Sequence, residues 1–200
     1  MRESVQKQAA PAPSGNAVFL VGFMGAGKSS VGRALGQHLN WLFEDLDDRI
    51  ERREGRTVAE IFRDSGEPEF RRAESAALEQ VLDELRGGGA RIVALGGGTF
   101  AHGQNHKAMQ ASGFPTVFLD ASLPELWRRC MEQSNLGAAR PLQTSQNVFR
   151  ELHRDRVRYY RTATLRLDTT GKQIDAIAAE ISEALGLKKI ALRTEQGEVE

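Results

Sequence analysis

One stretch near the start of the chain constrains the fold more than any other. The residues Gly22-Phe23-Met24-Gly25-Ala26-Gly27-Lys28-Ser29 follow the apolar run 17–21 and precede a helical pattern. Strand, glycine-rich turn and Lys-Ser at a helix start form a phosphate-binding P-loop, because the turn's N–H groups and the helix N-terminus attract phosphate. A glycine turn without a ligand is the alternative, and the complete, correctly flanked motif argues against it. The sequence therefore predicts binding of a nucleoside triphosphate.

The composition excludes several classes of function. The 27 Lys and Arg balance the 27 Asp and Glu, so no overall field attracts nucleic acid or an acidic membrane. No apolar run is long enough to span a bilayer, and the single cysteine, Cys130, excludes an internal disulfide. Residues 1–16 are predicted to be a disordered leader and residues 188–200 a polar tail. We expect a cytoplasmic monomer with no nucleic-acid or membrane partner.

Apolar runs that alternate with helical patterns predict one α/β domain over residues 17–187. Five runs are predicted to form a parallel sheet with helices on both faces, a three-layer α/β/α fold: 17–21, 41–45, 90–95, 116–120 and 165–168. The second run ends in Asp45, and Asp47 follows two residues later. In an extended chain both carboxylates would face one cleft. A solvated acidic strand end is the alternative.

Glycines and arginines are predicted to line the same cleft. The triple glycine 96–98 follows the third strand, where backbone without side chains lets a ligand approach; a plain turn is the alternative. The segment Ser65-Gly66-Glu67-Pro68 predicts the end of one helix and the start of the next. Arg71 and Arg72 lie in the first turns of that next helix, where a cation opposes the helix dipole. We therefore expect at least one of them to have another role, such as binding a carboxylate.

The polar stretch at about 134–146 has little apolar periodicity and is predicted to be a mobile lid. Arg140 lies in its middle, where closure could bring a cation onto a transferred phosphate. The next segment, 147–162, is helical and strongly basic. A solvated face is the ordinary interpretation of such a run.

Together the motifs resemble those of the shikimate kinases, in the same order along the chain. They are the P-loop, Phe43-Glu44-Asp45-Leu46-Asp47, Glu69-Phe70-Arg71-Arg72-x-Glu74, Leu95-Gly96-Gly97-Gly98, Arg140-Pro141-Leu142 and Arg156-x-x-x-Tyr160. The P-loop alone would indicate only a superfamily, whereas the combined set is much more discriminating. The resemblance covers about residues 17–185. It implies ATP-dependent, Mg²⁺-assisted phosphorylation of the shikimate 3-hydroxyl, on the way to chorismate and the aromatic amino acids.

The resemblance also implies roles for individual residues, each at the position that matches the motif. The nucleotide would be bound by Gly25, Ala26, Gly27, Lys28, Ser29, Ser30, Arg129 and Arg140. The metal side would comprise Ser29 and Asp45. Shikimate would be bound by Asp47, Arg71, Gly96, Gly97, Gly98 and Arg156. Lys28, Asp47 and Arg140 would be catalytic: Asp47 holds the ring hydroxyls and accepts the proton of the attacking oxygen, while Arg71 and Arg156 clamp the carboxylate.

The chain departs from the family pattern around the lid. Gln143 stands where the family often has leucine, Arg158 where it often has proline, and the approaches to the triple glycine and the lid are longer. These differences concern lid dynamics and the nucleotide edge more than the substrate. Two alternatives stay open: a kinase for another small hydroxy acid such as gluconate, and a non-catalytic ligand sensor. The acidic pair and Arg71 favour shikimate, and the complete P-loop argues against the sensor.

Overall fold

The fold is a parallel β-sheet between two layers of helices, as the sequence predicts. The computed structural model describes residues 16–135 and 145–191. The sheet there has five strands: β1 (Asn16–Val21), β2 (Leu42–Asp45), β3 (Ala90–Ala94), β4 (Thr116–Asp120) and β5 (Leu165–Asp168). They lie in the order β2-β3-β1-β4-β5, and every neighbouring pair is parallel. The prediction of a three-layer α/β/α architecture is confirmed.

Helices connect the strands throughout the described residues. They are α1 (Lys28–Leu39), α2 (Leu46–Glu54), α3 (Val58–Arg86), α4 (Gly103–Ser112), α5 (Leu123–Asn135), α6 (Gln146–Tyr160) and α7 (Ile174–Ala184), with a 3₁₀ turn at Thr99–Ala101. α3 is kinked, because Gly66 has φ +79° and ψ 175°, outside the helical region. The kink lies where Ser65-Gly66-Glu67-Pro68 predicts one helix to end and another to begin.

The central strand carries the P-loop to the middle of the carboxyl edge. Val18, Phe19 and Leu20 of β1 are fully buried, as expected for a strand covered on both faces. After β1 the chain crosses towards one edge of the sheet, to β2. After the neighbouring β3 it crosses in the other direction, to β4. Connections that diverge in this way open a crevice at the carboxyl ends of the two strands. The P-loop follows one of these strands and the triple glycine follows the other.

Asp47 reaches this crevice on a helix, not on the extended chain that the sequence indicates. Asp45 ends β2 and caps α2, accepting a hydrogen bond from the N–H of Asp47 to its Oδ1 at 3.1 Å. α2 already begins at Leu46. The extended-chain argument is therefore wrong, because the capping aspartate starts a helix at once. Both carboxylates nevertheless line the same cavity.

The predicted lid is helical at both of its described ends. α5 continues to Asn135 and α6 begins at Gln146. Residues 136–144, Arg140 among them, lie outside the described residues, so the lid and its cation stay predictions. No helix among residues 16–135 and 145–191 is both long and apolar enough to cross a membrane.

The first residues of the predicted C-terminal tail contact the body of the domain. The N–H of Ile190 donates to the carbonyl oxygen of Leu39 at 2.9 Å, and Trp41 Nε1 donates to that of Lys188 at 3.1 Å. Asn16, the last residue of the predicted leader, already belongs to β1. Residues 1–15 and 192–200 lie outside the described residues, so the disordered leader and the rest of the tail stay predictions.

Candidate active site

Glycine conformations and internal hydrogen bonds hold the P-loop in shape. Gly25 has φ +79°, and a Cβ at this position would lie 2.6 Å from the carbonyl oxygen of Leu126. Any other residue would therefore strain the loop. Lys28 Nζ donates to the carbonyl oxygens of Gly22 at 3.0 Å and Phe23 at 3.2 Å. The ammonium is thus held against its own loop, at the cavity where phosphates are expected.

A small cavity of about 70 Å³ lies against the P-loop. Of the predicted nucleotide-binding residues, those that line it are Gly25, Gly27, Lys28, Ser29 and Ser30. Ala26 is buried, and its N–H donates to the carbonyl oxygen of Phe23 at 3.1 Å. That N–H group therefore stabilises the turn itself.

Ser29 and Asp45 form an oxygen-rich corner of this cavity. Ser29 Oγ donates to Asp45 Oδ2 at 2.6 Å. Hydroxyl and carboxylate oxygens are the hard donors that Mg²⁺ prefers, and Mg²⁺ usually keeps waters and substrate phosphates as its other ligands. Within the described ranges no three His, Cys, Asp or Glu side chains are grouped so that they could hold a metal ion. The pair therefore fits Mg²⁺ as part of a shell completed by phosphate and water, not as a protein-only cage.

A second, larger cavity of about 460 Å³ adjoins the first. All the predicted substrate-binding residues line it: Asp47, Arg71, Gly96, Gly97, Gly98 and Arg156. Asp47, Gly96 and Gly97 line the smaller cavity as well. The structure thus brings together residues from α2, α3, α6 and the loop after β3. Sequence reasoning missed the apolar side of this cavity, formed by Met24, Val58, Phe62 and Phe70.

A buried carboxylate holds Arg71 at one end of the larger cavity. Arg71 Nη1 donates to Glu74 Oε2 at 2.9 Å, and Thr99 Oγ1 donates to Glu74 Oε1 at 2.5 Å. Arg71 also donates to the exposed Glu67. Burial lowers the pKa of Arg71, but the charge and hydrogen bonds of Glu74, aided by those of Glu67, outweigh it and leave the pKa raised. The guanidinium is therefore permanently charged and fixed in place.

Arg156 is held by different groups. On α6 it lies one turn before the buried Tyr160, whose hydroxyl donates to the carbonyl oxygen of Gly97. Burial raises the pKa of Tyr160. The guanidinium of Arg156 lies beside the phenolic oxygen and partly offsets this rise. The guanidinium carbon Cζ of Arg156 lies 6.0 Å from the ring centre of Phe23 in the P-loop. The arginine therefore lies close to both the triple glycine and the phosphate-binding loop.

Gly96 lies at the junction of the two cavities. A Cβ at this position would lie 2.8 Å from Asp47 Oδ1, 2.9 Å from Thr99 Oγ1 and 3.3 Å from Glu74 Oε1. A side chain here would displace the carboxylate of Asp47 and the oxygens that hold Arg71. Glycine is therefore required for close packing of polar groups rather than for a positive φ.

Arg129 lies beside the residue that follows β5. Its guanidinium donates to Thr169 through the hydroxyl at 3.4 Å and the carbonyl oxygen at 3.2 Å, and to Glu125 at 2.8 Å. The helix α5 and the turn after β5 are thereby joined. Contact with the nucleotide stays a prediction for this residue.

The strand order, the P-loop after the central strand and the polar cavity beside it define a P-loop kinase for a small molecule. The family model for shikimate kinase matches residues 24–186. A shikimate kinase of Thermus thermophilus is 39% identical over 171 residues, which cover 84% of this chain and 89% of that protein. One from Cereibacter sphaeroides is 37% identical over 182 residues, covering 90% and 87%. The chain belongs to the shikimate kinase family.

The likeness extends to solved structures. The shikimate kinase from Acinetobacter baumannii in complex with shikimate has a TM-score of 0.77 and 30% identity to this chain, covering 87% of it and 95% of that chain. The resemblance inferred from the motifs is confirmed. The comparisons favour neither the gluconate kinase nor the ligand sensor.

Of the residues that sequence reasoning did not assign, Glu74 and Tyr160 have the clearest contacts in the site. Both stand inside motifs that were recognised, Glu69-Phe70-Arg71-Arg72-x-Glu74 and Arg156-x-x-x-Tyr160. Spacings of three and four residues place them on the same helix face as the two arginines. This spacing is the sequence signal that could have indicated their contacts with the site.

Proposed function

We propose that the two joined cavities carry out the reaction of the family, the ATP-dependent phosphorylation of shikimate, with the phosphates in the smaller cavity and the acid in the larger. The observation that carries this proposal is that Asp47 lines both cavities. A carboxylate at that junction can contact a hydroxyl of the acid while the γ-phosphoryl group lies in line with that hydroxyl.

At the nucleotide end, the P-loop holds the phosphates and Lys28 leaves its loop carbonyls to bind the outer ones. Ser29 and Asp45 would hold Mg²⁺, which would supply positive charge to neutralise the phosphates. Arg140 adds a cation from the lid. Phosphoryl transfer needs mainly alignment and charge stabilisation, and these groups provide both.

At the acid end, Arg71 and Arg156 bind the carboxylate, because two guanidiniums offer several donors to a planar anion. Asp47 orients the ring hydroxyls and accepts the proton of the attacking one. As the new bond from the substrate oxygen to phosphorus forms, the bond from phosphorus to the β,γ-bridging oxygen breaks, and ADP leaves with those electrons. Gly96, Gly97 and Gly98 keep the backbone close to the substrate.

A coupled ADP-release assay with Asp47→Asn tests this assignment. We expect MgATP turnover that depends on shikimate and not on gluconate, and a fall in kcat of about 10³-fold in the variant, since a positioned general base contributes about 10²- to 10⁴-fold. Asp48→Asn is the matched control, because Asp48 is the next residue of α2 and lines a surface cavity with Arg49 and Arg52, not the two cavities that Asp47 lines. Equal rates for the wild type and Asp47→Asn would overturn the role of Asp47.

We also propose that the protein acts as a cytoplasmic monomer. The described residues that line the two cavities all come from a single chain, which supports the monomer. Light scattering during gel filtration should give the mass of one chain, 22.0 kDa. A stable dimer mass at assay concentrations would contradict it.

A further inference from the structure

The hydroxyl of Tyr160 has a specific position that packing alone does not explain. Tyr160 is buried, and its ring packs against Phe118 with ring centres 5.4 Å apart. A phenylalanine would fill the same space. The hydroxyl instead donates to the carbonyl oxygen of Gly97, which lines both cavities.

The same hydroxyl lies next to Arg156. The two residues are four apart on α6, so their side chains lie on one face of the helix. Arg156 Nη1 lies 3.5 Å from the position that a Cβ on Gly97 would occupy. Because the hydroxyl hydrogen points to the Gly97 carbonyl, the lone pairs of the phenolic oxygen are left to accept from the guanidinium.

We propose that Tyr160 is a positioning residue for substrate binding, whose hydroxyl joins the Gly97 backbone to Arg156 and fixes the direction of that guanidinium. The inference rests on the proposed role of Arg156 as a carboxylate ligand. Tyr160 itself does not contact the substrate. It acts by holding a long, flexible side chain in one orientation before the acid binds.

The variant Tyr160→Phe removes one oxygen and keeps the ring. Without it, the Gly97 carbonyl loses its donor and Arg156 loses the phenolic oxygen beside it. We expect the KM for shikimate to rise about tenfold, since a hydrogen bond to a charged group contributes about this factor. The KM for MgATP should stay within about twofold, because the P-loop contacts are unchanged. Tyr159→Phe is the matched control: Tyr159 is the preceding residue and contacts His106 and Arg158 instead.

A double-mutant cycle with Arg156→Ala separates positioning from a merely structural role. If Tyr160 acts through Arg156, Tyr160→Phe will raise the KM for shikimate in the wild-type background and not in the Arg156→Ala background. An unchanged KM in Tyr160→Phe, or an equal rise in both backgrounds, would overturn the inference while leaving the clamp intact. An unchanged KM in Arg156→Ala would instead overturn the clamp, and the inference with it.

Discussion

Arg71 and Arg156 face the same cavity but are held by opposite kinds of group. Arg71 is paired with two carboxylates, Glu67 and the buried Glu74. Arg156 is instead next to two neutral groups, the phenol of Tyr160 and the ring of Phe23. Among residues 16–135 and 145–191, no carboxylate forms an ion pair with Arg156, whereas two form ion pairs with Arg71. Much of the charge of Arg71 is thus offset by protein, whereas that of Arg156 is available to a ligand.

This difference assigns the two arginines distinct tasks. A guanidinium paired with a buried carboxylate contributes to stability as well as to binding, because removing it leaves that carboxylate without its counter-ion. A guanidinium without an ion pair among the described residues contributes mainly to attraction of an anion, since no carboxylate there is bonded to it in place of the ligand. The comparison therefore predicts that binding and stability respond differently to the two truncations.

The largest effect on substrate binding is expected for Arg156→Ala. Loss of charge-assisted hydrogen bonds to the substrate carboxylate should raise the KM for shikimate about 100-fold. The thermal midpoint should hardly change, because no buried carboxylate is left without a partner. Steady-state kinetics and a thermal melt measure the two quantities. Arg154→Ala is the control, since Arg154 lies on the exposed face of α6 and pairs with Asp155.

Arg71→Ala should have a smaller effect on binding and a larger effect on stability. We expect the KM for shikimate to rise about 30-fold, with ATP binding nearly intact. The free energy of unfolding should fall by about 3 kcal/mol, because Glu74 is only 1% exposed and would lose its counter-ion. Chemical denaturation measures the stability change. Arg72→Ala controls for the helix position, because its side chain is 73% exposed.

The double variant Arg71→Ala/Glu74→Gln makes this prediction more specific. It removes the stranded charge while a glutamine oxygen can still accept from Thr99. Stability should recover in part, and the KM should stay high. If Arg71→Ala were as stable as the wild type, the buried ion pair would have no structural role and the contrast between the arginines would be lost.

The glycines beside the arginines test the same contrast from the backbone side. A Cβ at position 98 would lie 2.7 Å from Arg71 Nη1, which is closer than real contacts allow, whereas one at position 97 would lie 3.5 Å from Arg156 Nη1. Gly98→Ala must therefore displace the guanidinium of Arg71, and the KM for shikimate should rise about tenfold, as for loss of one charged hydrogen bond. Gly97→Ala should change it by less than about threefold. The reverse order in a kinetic comparison would contradict the geometry.

The sequence predicts most of the fold, but it does not predict that Arg71 and Arg156 are held by different kinds of group. The P-loop and the five apolar runs are local patterns, and the runs predict the parallel sheet correctly. The pairing of Arg71 with Glu74 is also local, three residues along one helix. The link from Glu74 to Thr99 joins residues 25 apart, and that from Tyr160 to Gly97 joins residues 63 apart. No local pattern specifies which loop lies opposite a helix face, so these contacts required the fold.

The smallest effect is expected for Glu67→Gln, which removes the exposed carboxylate of the Arg71 pair. The Glu67 side chain is 63% exposed, so water screens its charge and the pair contributes little, of the order of 0–1 kcal/mol. Arg71 keeps its bond to Glu74, and the KM for shikimate should change by less than about twofold. Because Glu74→Gln makes the same chemical change at the buried partner, the two variants compare burial directly. If Glu67→Gln weakened shikimate binding as much as Glu74→Gln, the exposed carboxylate would orient Arg71 equally, and burial would not explain how the two arginines differ.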